Sequence, residues 1–193
     1  MSYRVRGGWV TNVLNVHKRR LYTSPEDAWQ LIANLGGKHE LLWPDHWPGI
    51  RFDRQLGPGA IGSHGIIGYY VEEYSPPELI RFRVTTPKAF DGYHEFRILP
   101  QTDSVMFRHT VRIRTHGAAT WLWLLVISPL HDAMVEDIMD RASSYSSGHN
   151  FYSAHPLRVR ALRWLLGRFP SPRARPSAAR DAGENQALEP PAR

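Results

Sequence analysis

Two histidines, His94 and His109, stand in stretches that alternate apolar and polar residues. Phe96 and Ile98 share the parity of His94, and Phe107, Val111 and Ile113 share that of His109. Residues of one parity lie on one face of a strand, so both imidazoles are expected on an apolar, inward face. A turn over 100–104 would join the two strands. A register pairing Ile98 with Val105 also pairs Phe96 with Phe107 and His94 with His109, their Cβ atoms about 5 Å apart. An imidazole held inward costs free energy unless it is hydrogen-bonded. Such a pair could anchor a ligand hydroxyl or carbonyl, or serve as a general acid or base near neutral pH. It could also be a satisfied core pair with no ligand. No third ligand stands beside it, so neither a metal nor a cofactor is expected.

Other polar groups invite chemistry less strongly. Asp132, Glu136 and Asp140 recur every four residues and so share one helix face. That face is expected to lie opposite the apolar stripe, in solvent, where acids near a helix start suit its dipole. Asp137 sits nearer the stripe and is expected to reach the interior or pair with Arg141. His17 and Arg19 share a strand face with Leu21, and Glu73 shares one with Val71 and Tyr69. There are no cysteines, which excludes disulfides, thiolate ligands and a cysteine nucleophile. The glycines of 57–62 lack the strand-to-helix setting of a phosphate-binding loop, and no Ser-His-Asp spacing stands out.

The elements that must position these groups follow from periodicity and punctuation. Residues 10–22 read as a first strand. Ser24-Pro25-Glu26-Asp27 carries a cap, a first-turn proline and acids for a helix start, and Leu35-Gly36-Gly37 ends that helix. Residues 41–52 hold two Trp-Pro pairs, which allow only a broken helix or an ordered loop. That loop is expected to pack on the core or to form an aromatic wall at a ligand entrance. Strands over 61–74 and 79–85 flank a Pro-Pro turn, placing Ile80, Phe82 and Val84 beside Glu73, Val71 and Tyr69. Gly62, Gly65 and Gly68 predict bends in the sheet. A further hairpin joins 92–99 to 105–114. Residues 121–145 carry the longest helical pattern, with Leu130, Met134, Ile138, Ala142 and Tyr145 as its apolar stripe.

The order strand, short helix, consecutive hairpins and long helix predicts an α+β fold with an antiparallel sheet. The sheet's apolar face would be covered by the long helix. Five segments carry a resemblance: L-Y-T-S-P-E-D-A-W at 21–29, W-P-G-I at 47–50, G-P-G-A-I-G at 57–62, E-E-Y-S-P-P-E-L-I at 72–80, and the terminal helix. Together, over roughly 13–146, the chain resembles the START/SRPBCC helix-grip superfamily, in its polyketide cyclase/dehydrase and lipid-transport branch. The resemblance implies a curved sheet wrapped around a long C-terminal helix and a cavity between them for lipids, polyketides or other cyclic compounds. The superfamily holds enzymes, carriers and sensors, so the fold leaves activity open. The expected wall comprises Ile67, Tyr69, Val71, Phe82, Phe96, Phe107, Val111, Met134 and Ile138, with His94 and His109 as polar anchors or as the acid/base of a cyclase or dehydratase.

The 193 residues divide as an extension over 1–12, the ligand-binding domain over 13–150, a basic amphipathic helix over 151–169 and a disordered tail over 170–193. Lys and Arg number 24 against 18 Asp and Glu, a net charge of +6. Arg158, Arg160, Arg163, Arg168, Arg173, Arg175 and Arg180 nearly account for that excess. With Leu162, Leu165, Leu166 and Phe169 forming an apolar stripe, the basic helix could dock on the domain or lie on an anionic membrane. Basic and aromatic residues do not interleave as in a nucleic-acid module, so no such partner is expected. Residues 1–12 hold no apolar run of signal-peptide length, and 121–127 is far shorter than a membrane span of about 20 residues. A soluble, cytoplasmic protein is the expectation.

Overall fold

The computed structural model describes residues 2–5 and 8–167, with side chains described within 10–166. Among the described residues, eight strands form one antiparallel sheet: β1 (Ser2–Val5), β2 (Gly8–Leu21), β3 (Arg51–Phe52), β4 (Ile61–His64), β5 (Ile67–Ser75), β6 (Leu79–Thr86), β7 (Phe90–Pro100) and β8 (Val105–His116). Their order across the sheet is β1-β2-β8-β7-β6-β5-β4-β3. Strand β2 thus closes back on β8 and completes a surface around the helices. It begins at Gly8, five residues before the boundary expected for the domain.

Helix α1 (Pro25–Ala33) starts where its residues dictate. The Ser24 hydroxyl accepts from the Asp27 backbone N–H at 3.1 Å, Pro25 sits in the first turn, and Glu26 and Asp27 face the dipole's positive end. Helix α2 (Ala118–Leu122), a π-helical turn (Trp123–Ile127) and α3 (Ser128–Ser147) run on as one helical span, which Gly148 ends in a left-handed conformation. By length and composition this span could cross a bilayer, with a mean hydropathy of 1.3 over its most apolar window. Its C-terminal half instead packs on the sheet. Ala133, Met134, Val135, Ile138, Met139 and Ala142 join Tyr69, Val71, Phe82, Phe96, Ile98 and Phe107 in one core. Each large side chain so buried contributes about 1.5–3 kcal/mol.

Two strand registers and one helix face differ from expectation. β7 runs on to Pro100, which pairs with Val105, and Gln101 N–H closes a four-residue turn on Ser104 O at 2.9 Å. The ladder is therefore two residues from the predicted one: Ile98 faces Phe107, Phe96 faces His109, and His94 faces Val111. A two-residue shift keeps every side chain on its face. On the β5–β6 ladder, Tyr69 pairs with Val84 and Val71 with Phe82 as expected, but a bulge follows. Glu73 then pairs with Arg81, and Tyr74, not Glu73, turns inward to meet Trp29 at 5.5 Å. Glu73 instead binds the Arg81 guanidinium at 2.8 Å on the outer face.

The third difference concerns the acidic helix face. Asp132, Glu136 and Asp140 do not look into bulk solvent; they face Asn15, His17 and Arg19 on β2. The helix lies over β2 as well as over the sheet centre, so both stripes find partners. On the far side of the sheet, Glu95 is 4% exposed. It binds Arg81 at 2.8 Å, with Arg97 at 3.7 Å and Arg108 at 3.9 Å.

Helix α4 (Leu157–Gly167) docks through Val159, which is buried, rather than through the expected stripe. Leu165 and Leu166 are exposed, while Phe169 and the tail over 170–193 lie outside the described residues.

Candidate functional site

Inward alternation on four strands and one turn of α3 bring five histidines into a row. His64 ends β4, His94 lies in β7, His109 in β8, His131 in α3 and His17 in β2. Ring centroids are 6.2 Å apart from His64 to His94, 5.8 Å from His94 to His109, 5.2 Å from His109 to His131, and 6.3 Å from His131 to His17. His94 and His109 sit among aromatics. His94 stacks on Phe82 at 4.9 Å and meets Tyr69 edge-on at the same distance. His109 lies 4.7 Å from Phe96.

The two ends of the row differ chemically. At one end, His64 Nδ1 lies 3.2 Å from the Tyr69 hydroxyl, with Trp43 over its ring at 5.1 Å. Burial lowers His64 to about 3, helped by the charge of His131. Burial likewise holds His94 and His109 well below the ordinary imidazole range and raises the Tyr69 phenol. His131 is lowered by burial, against the pull of Asp132. At the other end His17 is raised, chiefly by its contact with Asp132 and further by Glu136, against desolvation. Burial alone would raise Asp132, but His131, His17 and Asn15 outweigh it and hold the carboxyl below its usual range.

Along the middle of the row, three ring nitrogens have no hydrogen-bond partner: His94 Nε2, His109 Nδ1 and His131 Nδ1. All three are buried. A neutral imidazole with a free nitrogen can take a hydroxyl proton or meet a carbonyl through its N–H form. The surrounding wall is apolar. Tyr69, Val71, Phe82, Phe96, Phe107, Met134 and Ile138 all lie in the main core, and Ile67 packs against it. Val111 belongs instead to a smaller cluster with Phe90, Ile113 and Trp123.

A second polar cluster ties the loop after α1 to the helices. Asp137 is 6% exposed; it accepts from Trp47 Nε1 at 2.6 Å and contacts His46 Nε2 at 2.9 Å and His155 Nε2 at 3.0 Å. Arg163 of α4 lies over the Trp47 ring at 4.5 Å and donates to His46 O at 2.8 Å. Trp43 and Trp47 are both core residues, so the Trp-Pro loop packs on the domain. Arg141 turns to that loop, to Leu41 O and Asp45, rather than to Asp137.

Of the row, His94 and His109 were read from alternation; they share a face but are offset, not opposed. His64 was missed, because a four-residue strand between glycines shows no period. His17 and His131 were visible as residues but not as neighbours, since only the packing of α3 on β2 joins them.

No family model matches the sequence, and no curated protein matches it. Among solved structures, CalU16 from Micromonospora echinospora superposes with a TM-score of 0.51 at 13% identity, over 82% of this chain and 93% of that one. A point mutant of norcoclaurine synthase from Thalictrum flavum, in complex with a transition state analogue, gives 0.54 at 13% identity, over 72% and 98%. The di-domain ARO/CYC StfQ of the steffimycin biosynthetic pathway gives 0.52 at 9% identity, over 71% of this chain and 51% of StfQ. The chain has the helix-grip fold. It is the fold that the START/SRPBCC resemblance implied.

Proposed function

We propose that the chain binds an apolar, ring-containing small molecule between the sheet and α3, with His94 and His109 holding its hydroxyl or carbonyl oxygen. The observation that carries this reading is the set of unpartnered, buried imidazole nitrogens on an otherwise apolar wall. A buried polar group without a partner costs about 1–3 kcal/mol, and a ligand oxygen would recover that. Sharing a fold with an ARO/CYC and with norcoclaurine synthase supports a cyclic ligand. Where the ligand is turned over, the same imidazoles are placed to relay a proton in a cyclase or dehydratase step, as neutral groups that burial makes weak bases. The test is imidazole 15N NMR of the protein with a hydroxyanthraquinone probe. Selective shifts of the His94 and His109 nitrogens are expected; saturable binding that leaves them unmoved would sink the anchor roles.

A second reading, a membrane-associated lipid-transfer module, has its own observation. Trp121, Leu124 and Leu125 of the helical span and Trp164 and Leu165 of α4 are all exposed. Leu124, Leu125 and Leu165 line one groove of about 410 Å³ with Arg158, and Arg160 is exposed nearby. Apolar side chains beside arginines suit an anionic bilayer surface. Sedimentation with phosphatidylserine vesicles is expected to weaken when Trp121 and Leu125 become Glu; unchanged sedimentation removes this surface from the reading.

A further inference from the structure

We propose that His17, His131 and Asp132 form a binding site for a divalent first-row transition metal such as zinc. This goes beyond the small-molecule reading and stands or falls separately from it. The sequence suggested no metal because its third ligand lies on a distant strand.

The donor atoms are already gathered. His17 Nε2 lies 3.3 Å from Asp132 Oδ1, and His131 Nδ1 lies 3.9 Å from the same oxygen. All three donors fall within 4.8 Å of one another. Tetrahedral bonds of about 2.0–2.1 Å set neighbouring donors about 3.4 Å apart, so His17 and Asp132 already have that spacing and His131 would close on Asp132 by about half an ångström. Two histidines and a carboxylate are nitrogen and oxygen donors that suit zinc and its neighbours.

The surrounding residues prepare these donors. Glu136 Oε1 lies 2.7 Å from His17 Nδ1. A carboxylate accepts only, so Nδ1 keeps a proton, and Nε2, which meets Asp132 Oδ1 at 3.3 Å, would exchange its own proton for the ion. The Asn15 amide donates to Asp132 Oδ1 at 2.7 Å and fixes the carboxylate. Arg19 steadies Glu136 at 2.9 Å. His131 Nδ1 is buried and has no hydrogen-bond partner. Three carboxylates, Asp132, Glu136 and Asp140, gather here against His17 and Arg19; a divalent cation would offset the negative charge that remains. Three protein ligands leave a coordination position open. His109, opposite His17 on the ladder and 5.2 Å from His131, stands beside it.

The cluster of His46, Asp137 and His155 has similar composition but a different chemistry. Arg163 donates to His155 Nδ1 at 3.2 Å, so the proton sits on Nε2 and points at Asp137. The Trp47 N–H occupies the same carboxylate. That cluster is satisfied by hydrogen bonds and serves as the internal control.

The experiment uses the full chain, stripped with a chelator and titrated with zinc against a chromophoric competitor. One equivalent is expected to bind. His17→Gln and His131→Gln are each expected to weaken it at least 100-fold, while His46→Gln leaves it unchanged. X-ray absorption of the zinc-loaded wild type, which needs no variant to fold, is expected to show two imidazoles. No saturable binding, binding that survives both substitutions, loss in His46→Gln alone, or an absorption spectrum without imidazole each overturns the site.

Discussion

Trp47 gives its indole N–H to a carboxylate oxygen of Asp137 at 2.6 Å, and the bond joins the Trp-Pro loop to the middle of α3. His46, His155 and, through the last, Arg163 converge on the same carboxylate. A loop without regular structure is thereby tied to both α3 and α4.

Replacing Asp137 with Ala leaves the Trp47 N–H buried and unpaired and frees His155. The cost is expected to be about 2–4 kcal/mol. Thermal unfolding reads the loss, and limited proteolysis is expected to cut within residues 41–50 first. Unaltered protease resistance there would show that apolar packing of Trp43 and Trp47 suffices.

Glu95 gathers three guanidinium groups on the outer sheet face. Glu95→Gln leaves Arg81, Arg97 and Arg108 facing one another without their shared carboxylate. Breaking a fully buried pair costs about 3–5 kcal/mol. The arginines here are about a quarter exposed, so screening reduces the expected loss to about 2 kcal/mol. Urea unfolding with an unchanged m-value is the measurement.

His94→Leu separates stability from binding. It removes a buried nitrogen that has no partner while keeping a similar volume against Phe82 and Tyr69. The variant is expected to gain about 1 kcal/mol and to lose affinity for the hydroxyanthraquinone probe. A destabilised variant that still binds would point to a structural role for this imidazole.

Stability is expected to fall on acidification. His64 and His94 are neutral in the folded chain because burial opposes their charge. Below the ordinary imidazole value of about 6.5 the unfolded chain binds protons that the folded chain does not, so stability declines as pH falls from there towards about 3 for His64. At pH 5 His64 is expected to remove about 2 kcal/mol relative to pH 7, and His94 acts in the same direction. His17, held above its ordinary value, works in the opposite sense. Urea midpoints at pH 5, 6 and 7 check the trend, and His64→Gln is expected to flatten it.

How much of this was legible in the sequence depended on the range of the signal. Alternation found the inner faces of β5 to β8, because a period of two survives a shift of two. The same insensitivity hid the offset between His94 and His109. One extra residue at Glu72 reversed Glu73 and Tyr74, and nothing in E-E-Y marks a bulge. The acidic stripe of α3 read as solvated because helical periodicity reports which residues share a face, not what lies opposite it. Its partners on β2 are more than a hundred residues away, so only tertiary packing reveals them. The resemblance supplied the fold, and the histidine row came from the fold's closure of β2 on β8.

The sheet stops at β1, with four residues, and β3, with two. Next to β3, the loop before β4 continues the ladder by exchanging backbone hydrogen bonds with Val71. Beyond it β5 shows Glu72 and Glu73. Strand β1 covers only Gly8–Thr11 of β2, however, so beyond residue 12 the far edge of β2 has no neighbouring strand among the described residues. With the other ends of the sheet short and charged, that stretch of β2 is where a strand from a second copy could add, edge to edge.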